Sequence, residues 1–367
     1  MSKPIRILHV VVNMNRGGAE TLIMNLYRNM DRSKVQFDFL TCREGVFDSE
    51  IKELGGTIHR IPYIEAGHFG YIRSLNMFFS NNNDYTIVHS HLNKMSGFVV
   101  RAAKKHGIPY CISHSHNTSG EGGILAKSYK WYSGMFISSN TDYTFACSHT
   151  AAKWLFGKSN EAKLLNNGIE LEKFSYSPDI RLLKRRELGI SDQLVIGHVG
   201  RFTKQKNHKF LIEVFAEFVK RRPDSILLLC GDGVLRKDIE NRVIELNIQD
   251  KVKFLGVRSD INQLLQAFDI FLFPSLHEGL PVTLIEAQAA GIPCLISDEI
   301  TNEVDLGLGL MEFLQLKSKD LWVTKLEKFK VNKIERQTSK LKILRDRGYD
   351  IKNTAKWLQD FYILNSR

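Results

Sequence analysis

The chain has 367 residues, 43% of them apolar, which is enough for about two ordinary hydrophobic cores and argues against a disordered polymer. Its 51 lysines and arginines outnumber its 40 aspartates and glutamates by 11, and residues 1–168 hold 19 of the basic and 12 of the acidic side chains, so +7 of the excess lies in the first half. Surface solubility accounts for such an excess as well as an anionic membrane surface or a phosphorylated ligand does; nucleic acid is not expected, because no basic-aromatic recognition motif occurs. The five cysteines are scattered without a Cys-x-x-Cys spacing, so neither a disulfide framework nor a zinc cluster is expected, and the protein reads as reduced and cytoplasmic. The apolar run 5–12 leads into polar residues without a small-residue cleavage pattern, and no apolar run reaches the ~18 residues of a membrane span. Any membrane contact is therefore expected to be peripheral.

In chain order, short apolar runs alternate with amphipathic stretches. Strands are predicted over 5–12, 35–41, 57–61, 86–89, 109–113 and 143–147, with helices over 19–29, 69–80, 95–106 and 125–138 between them. The rhythm stops at Asn166-Asn167-Gly168, and a charged, irregular run follows over 170–179. It then resumes. Strands are predicted over 194–199, 225–230, 251–255, 270–273 and 294–296, and helices over 209–221, 235–246, 262–268 and 283–290. The pattern predicts an α/β chain of two consecutive doubly wound parallel sheets, with ligands at the carboxyl ends of the strands. The domains are placed at 1–168 and 169–349, and an amphipathic helix over about 350–367 is expected to pack back on the first.

The strongest local signal runs from Phe273 to Gly291. A strand end is followed by the loop Ser275-Leu276-His277-Glu278-Gly279-Leu280, and Pro281 suits the first position of a helix. A helix start preceded by glycine is a ready anion site, because its free N–H groups and its dipole point outward. Glu278 lies beside that anion position, and Glu286 lies further along the helix, where a carboxylate can accept both hydroxyls of a ribose. Alone, each glutamate is more simply a surface residue beside a capped helix. The second signal is the strand-to-helix loop Gly200-Arg201-Phe202-Thr203-Lys204-Gln205-Lys206-Asn207. Arg201 and Lys206 can bind the two phosphates of a nucleoside diphosphate, with Asn207 as helix cap, or can be a plain basic loop. Arg16-Gly17-Gly18-Ala19-Glu20 follows the first strand, and its paired glycines permit a phosphate to approach the backbone or merely make a turn. Gly231-Asp232-Gly233 after the 225–230 strand is an equally weak signal, or only a turn.

His89 and His91 close one strand, and His114 and His116 another. Structural packing and substrate contact both remain open for them. A His-x-His pair can bind zinc, but no third ligand at ordinary spacing accompanies either pair, so no metal site is expected. The stretch 125–132 mixes lysines with Tyr129, Trp131 and Tyr132, which suits a bilayer interface or an ordinary helix with exposed lysines.

Taken together, Gly17-Gly18-Ala19-Glu20, His89-Ser90-His91, His114 to Asn117, Asn167-Gly168, Gly200-Arg201 with Lys206, and the Glu278/Glu286 pair resemble the retaining family-4 glycosyltransferases of the GT-B fold. The run from His277 to Ala287 looks like bacterial enzymes of exopolysaccharide and capsule assembly. The resemblance spans essentially the whole chain. It implies two Rossmann-like domains facing each other across a cleft, and a nucleotide-sugar donor, expected to be a UDP-sugar. It implies a saccharide or polyprenyl-diphosphate-linked acceptor, retention of configuration, and no cofactor or metal. By position, Arg201 and Lys206 would neutralise the leaving diphosphate and Glu286 would hold the ribose. Glu278 with Gly279, Leu280, Pro281 and Val282 would hold the donor sugar and phosphate. Gly17 and Gly18 would approach the phosphate, and the base would rest near Val257 and Arg258. His89, His91 and His114 would lie on the acceptor side. The family's histidine beside the reacting carbon falls between His114 and His116, and His116, further into the loop, is the expected one. No Asp-x-Asp motif occurs, in keeping with diphosphate departure without a metal. The competing readings are a nucleotide-sugar epimerase or hydrolase on the same architecture, and a non-catalytic partner of another transferase. A dehydrogenase lacks support, because the dinucleotide fingerprint is missing.

Overall fold

The computed structural model describes residues 3–120, 122–157, 162–328 and 341–366. The chain forms two compact units: Met1–Ile169 with Gly348–Arg367, and Glu170–Arg347. The first unit carries seven strands: β1 (Ile5–Val10), β2 (Val35–Thr41), β3 (Ile58–Arg60), β4 (Ile87–Ser90), β5 (Tyr110–Ser115), β6 (Tyr143–Ala146) and β7 (Lys163–Leu164). They pair in parallel in the order β3-β2-β1-β4-β5-β6-β7. The second unit carries β8 (Leu194–Val199), β9 (Ser225–Cys230), β10 (Val252–Gly256), β11 (Ile270–Phe273), β12 (Cys294–Ser297) and β13 (Met311–Leu314), ordered β10-β9-β8-β11-β12-β13 and again all parallel. Both sheets reverse direction of winding once, between β1 and β4 and between β8 and β11. In such sheets the loops leaving that switch point diverge and open a crevice for ligands.

Several local expectations change. β7 and β13 lie at sheet edges, and β7 is two exposed residues long, so neither shows the apolar run of a buried strand. The supposedly irregular 170–179 run contains helix Leu171–Phe174 and the start of helix Pro178–Glu187. Ser177 caps the latter, accepting from the Ile180 N–H, with Pro178 in the first turn. The single helix expected over 125–138 is two, Ile124–Gly134 and Ile137–Asn140.

One face of the first sheet packs against helices Gly18–Asn29 and Ile351–Asn365 through Ile7, Ile87, Ile112, Leu26, Leu358 and Tyr362. Alternation along a strand decides what else lies there. His9 on β1 is the register partner of His89 on β4, and His89 is the partner of Ile112 on β5. His91 follows His89 by two, and His114 and His116 follow Ile112 by two and four. All five imidazoles therefore continue this core face toward the carboxyl ends of the strands. His9, His89, His91 and His114 are buried and His116 is partly exposed.

Burial disfavours the imidazolium form and pushes these groups down, His9 and His116 to about 3 and His89, His91 and His114 well below their ordinary value. His198 and His208 in the second unit fall to about 4 and about 2 for the same reason. As pH drops below about 6.5 the unfolded chain takes up protons that the fold refuses, so stability is full above that value and is lost on the way down toward the folded-state values. Asp260, held well below the ordinary carboxylate range by its hydrogen bonds from Arg258, acts only in stronger acid, and Glu286, raised to about 7 by burial, is a single group of opposite sign. The unfolding midpoint is expected to fall steadily between pH 6.5 and 5 in buffers of constant ionic strength, and a midpoint flat across that range contradicts the account.

Candidate functional site

The second unit's switch point is built from glycine-dependent backbone packing. Gly231, at φ 134°, sits so close to the β8 loop that a Cβ there would lie 2.1 Å from the Gly200 carbonyl oxygen. Gly200 N–H donates to the Cys230 carbonyl at 2.9 Å, Phe202 N–H to the Asp232 carbonyl at 2.9 Å, and Leu235 N–H to the Phe202 carbonyl at 3.1 Å. The Gly231-Asp232-Gly233 segment is thus the brace of the 200–202 loop, which its turn-like sequence conceals. Phe202 is buried, with its ring stacked on His208 at 4.0 Å between centroids. Arg201 is held between these anchors, exposed, and its guanidinium makes no ion pair among the described residues. Asn207 does begin helix His208–Arg221, but in the left-handed region at φ 53° and without a side-chain capping bond, so its role is conformational.

The β11 loop is stitched to this one. Leu276 N–H donates to the Gln205 carbonyl and Gln205 Nε2 to the His277 carbonyl, both at 2.8 Å. Lys206 Nζ donates to Glu278 Oε1 at 2.7 Å and lies 4.6 Å from the centre of the Phe273 ring. Glu278 is 8% exposed. Two residues expected to act separately, one on phosphate and one on sugar, are therefore a part-buried ion pair. Truncating either leaves the other's charge uncompensated in a dry place, which is costly. The same loop runs through Gly279 and Leu280 into helix Val282–Ala289, with Pro281 at the N-cap rather than at the first helical position and no side-chain cap on the helix. Its first N–H groups therefore lack intrahelical partners.

Three side chains beside that helix start were missed by sequence reasoning. Ser275 Oγ, His277 Nε2 and Thr283 Oγ1 are buried without a hydrogen-bond partner among the described residues. Buried polar atoms are nearly always satisfied, so three unpartnered ones on a single loop and the helix turn it leads into are exceptions. The signal was a polar loop between an apolar strand and an apolar helix. Glu286 lies one turn into the helix, half-buried, its carboxyl pushed up to about 7 by burial. Beyond β10, Val257 is 57% exposed, whereas Arg258 is committed to Asp260 through two bonds of 2.8 Å.

In the first unit, Gly17 caps helix Gly18–Asn29 in an extended conformation with no side-chain capping bond. A Cβ at Gly18 would meet nothing within 4 Å, so the backbone there is open to approach. The histidines form two hydrogen-bonded chains. His9 Nδ1 bonds His91 Nε2 at 3.0 Å, and His91 Nδ1 bonds His116 Nε2 at 2.9 Å. The Tyr362 hydroxyl bonds His89 Nδ1 at 2.7 Å, and His89 Nε2 bonds His114 Nδ1 at 3.2 Å. Asn93 Oδ1 accepts the His116 N–H at 2.9 Å. Asn93 also lines a groove of about 400 Å³ with Lys94, Asn117, Lys127, Lys130 and Trp154. The helix above it, Ile124–Gly134, buries only Ser133 and leaves Ile124 85% and Leu125 87% exposed, together with Trp131 and Tyr132. Its inward contacts come from Tyr129, which packs against Phe98 with ring centroids 5.4 Å apart and whose hydroxyl bonds His68 Nδ1 at 2.7 Å. No helix of the described residues is long and apolar enough to cross a membrane.

Family models match both halves of the chain: glycosyltransferase family 4 over residues 16–173 and glycosyl transferases group 1 over residues 181–306. A protein of Bacillus subtilis named as the glycosyltransferase EpsF is 42% identical over 326 residues, covering 85% of this chain and 84% of its own. An Escherichia coli enzyme named UDP-Gal:alpha-D-GlcNAc-diphosphoundecaprenol alpha-1,3-galactosyltransferase is 30% identical over 302 residues, covering 76% and 75%. Among solved structures, Anabaena HepE in complex with UDP and glucose superposes with a TM-score of 0.79 at 17% identity over 97% of this chain and 99% of that one, a likeness of fold. The chain belongs to the group 1 and family 4 glycosyltransferases and has their GT-B fold of two Rossmann-like parallel-sheet units.

Proposed function

We propose that this glycosyltransferase moves a sugar from a UDP-sugar to a saccharide or polyprenyl-diphosphate-linked acceptor, with retention of configuration, in exopolysaccharide or capsule assembly. The observation that carries the reading is the Lys206–Glu278 pair on the loop that leads into an uncapped helix start, with three orphaned polar atoms on that same loop and first turn. The donor class is supported by the E. coli relative named for UDP-Gal and by the HepE complex with UDP and glucose. The acceptor class is supported by that relative's diphosphoundecaprenol, and the pathway by a Staphylococcus aureus relative named for capsular polysaccharide biosynthesis, 25% identical over 299 residues.

Cleavage of a glycosyl–phosphate bond gathers negative charge on the diphosphate and positive charge on the sugar ring. Arg201, Lys206 and the N–H groups of Gly279 and Val282 supply fixed positive charge where the diphosphate departs, the work a divalent ion does in other transferases. Because Glu278 already faces Lys206, Arg201 carries most of the uncompensated charge. Glu278 orients Lys206 and faces the donor sugar. Glu286 receives the ribose hydroxyls, Val257 packs on the base, and Arg258 keeps that loop in place through Asp260. Gly17 and Gly18 present an open backbone to a phosphate. His116 attends the reacting carbon, with His89, His91 and His114 behind it on the acceptor side. The leaving phosphate itself takes the acceptor's proton on the same face.

Arg201→Ala is expected to lower kcat/KM for sugar transfer by about 100-fold or more, the usual cost of one preorganised group at a developing anion; full activity in that variant removes the diphosphate assignment. Glu286 is part-protonated near neutrality and must be a carboxylate to accept two hydroxyls. UDP binding near pH 7 is therefore expected to release about half a proton, read from calorimetry in buffers of different ionisation enthalpy. A heat independent of buffer contradicts the ribose role.

The lysine-lined groove and the apolar, aromatic exposure of helix Ile124–Gly134 support a place at the inner face of a membrane, where a lipid-linked acceptor resides. Sedimentation with vesicles containing anionic lipid is expected at low salt and to weaken as salt rises. No binding at low salt ends this part of the proposal.

A further inference from the structure

We propose that His91, His114 and His116 form a binding site for a divalent transition-metal ion of the Zn²⁺ class. One ring nitrogen from each can be chosen so that all three lie within 4.8 Å of one another, and the group contains histidine alone. Its third member is invisible to linear spacing, because His91 follows β4 while His114 and His116 belong to the neighbouring β5 and its loop. Imidazole-only sites select Zn²⁺, Cu²⁺ or Ni²⁺ over Mg²⁺ and Ca²⁺, which require oxygen ligands.

The geometry is close to what such an ion needs. Two nitrogens bound at 2.0–2.1 Å to a tetrahedral zinc stand roughly 3.3 Å apart. His91 Nδ1 and His116 Nε2 are 2.9 Å apart. His114 Nε2 is buried without a partner among the described residues and is the natural third ligand atom. His116 is the partly exposed member of the three and gives the site its side toward solvent.

The nitrogens not used for the ion already have the supports that metal-bound imidazoles require. With the ion on His91 Nδ1, that ring carries its proton on Nε2 and donates it to His9 Nδ1, 3.0 Å away. With the ion on His114 Nε2, the His114 Nδ1 proton goes to His89 Nε2 at 3.2 Å, and His89 gives its own Nδ1 proton to the Tyr362 oxygen at 2.7 Å. Binding thus needs a shift of tautomers within neutral rings. The other orphaned nitrogen of this cluster, His9 Nε2, belongs to a ring 4.0 Å from that of Phe37, and His9 with His89 and His91 makes a second, fully buried histidine trio.

This ion does not serve the diphosphate, whose charge falls to Arg201 and Lys206 in the second unit. It captures His116, and on the function proposed above it inhibits transfer. The test uses the full chain without an affinity tag, stripped with EDTA and titrated with Co²⁺. The expected result is one ion per chain with the intense visible absorption of tetrahedral cobalt, displaced by Zn²⁺. His116→Ala, and independently His116→Gln in case the first misfolds, is expected to weaken binding at least tenfold, while His149→Ala leaves it unchanged. Spectra no different from aqueous Co²⁺, or equal titrations for wild type and both His116 variants, overturn the site. Transfer activity is read separately. Inhibition by one equivalent of Zn²⁺ and recovery with EDTA are expected, whereas metal binding without inhibition upholds the site and removes His116 from the sugar chemistry.

Discussion

A lysine and a glutamate 72 residues apart in sequence meet at the carboxyl ends of two neighbouring parallel strands, and the donor-binding apparatus is arranged around that contact. The pair is nearly dry, with Phe273 beneath the ammonium. An ion pair in such a place contributes little net stability over an apolar substitute, because desolvation offsets attraction. Its value lies in position. It fixes the 200–207 loop against the 274–281 loop at the switch point of the sheet and keeps an uncapped helix start open between them.

The two units solve different problems with the same architecture. In the second, glycines at 200, 231 and 233 let three strand-end loops touch through their backbones, and the sequence between them is free to present Arg201. In the first, the strand ends carry imidazoles where the rest of that core face carries aliphatic and aromatic groups. Five rings without a carboxylate among them are held neutral by burial and linked through shared hydrogen bonds. Such a cluster is acid-sensitive by construction, and it offers nitrogen lone pairs to soft or borderline cations.

Most of the fold was legible in the sequence because buried parallel strands are short apolar runs and their crossover helices are amphipathic. The predicted limits of β2, β8, β9 and β11 coincide with those observed. What escaped has physical reasons. β7 and β13 are edge strands with little burial to leave a mark. Helix Pro178–Glu187 announces itself through Ser177-Pro178, but the charged residues around it hide its apolar periodicity. The candidate site was legible as motifs but not as contacts. Nothing along the chain says that Lys206 and Glu278 bond to each other, that Arg258 is committed to Asp260, or that Ser275, His277 and Thr283 are left with buried orphaned atoms. Those facts depend on strand order, which sets distant loops side by side.

A crystal structure of the chain soaked with UDP tests the central claim most directly. The account predicts the terminal phosphate against the N–H groups of Gly279, Val282 and Thr283, within reach of Lys206 and Arg201, and the ribose hydroxyls on Glu286. A nucleotide bound elsewhere, or one whose phosphates leave the start of helix Val282–Ala289 untouched and whose ribose turns away from Glu286, would contradict it.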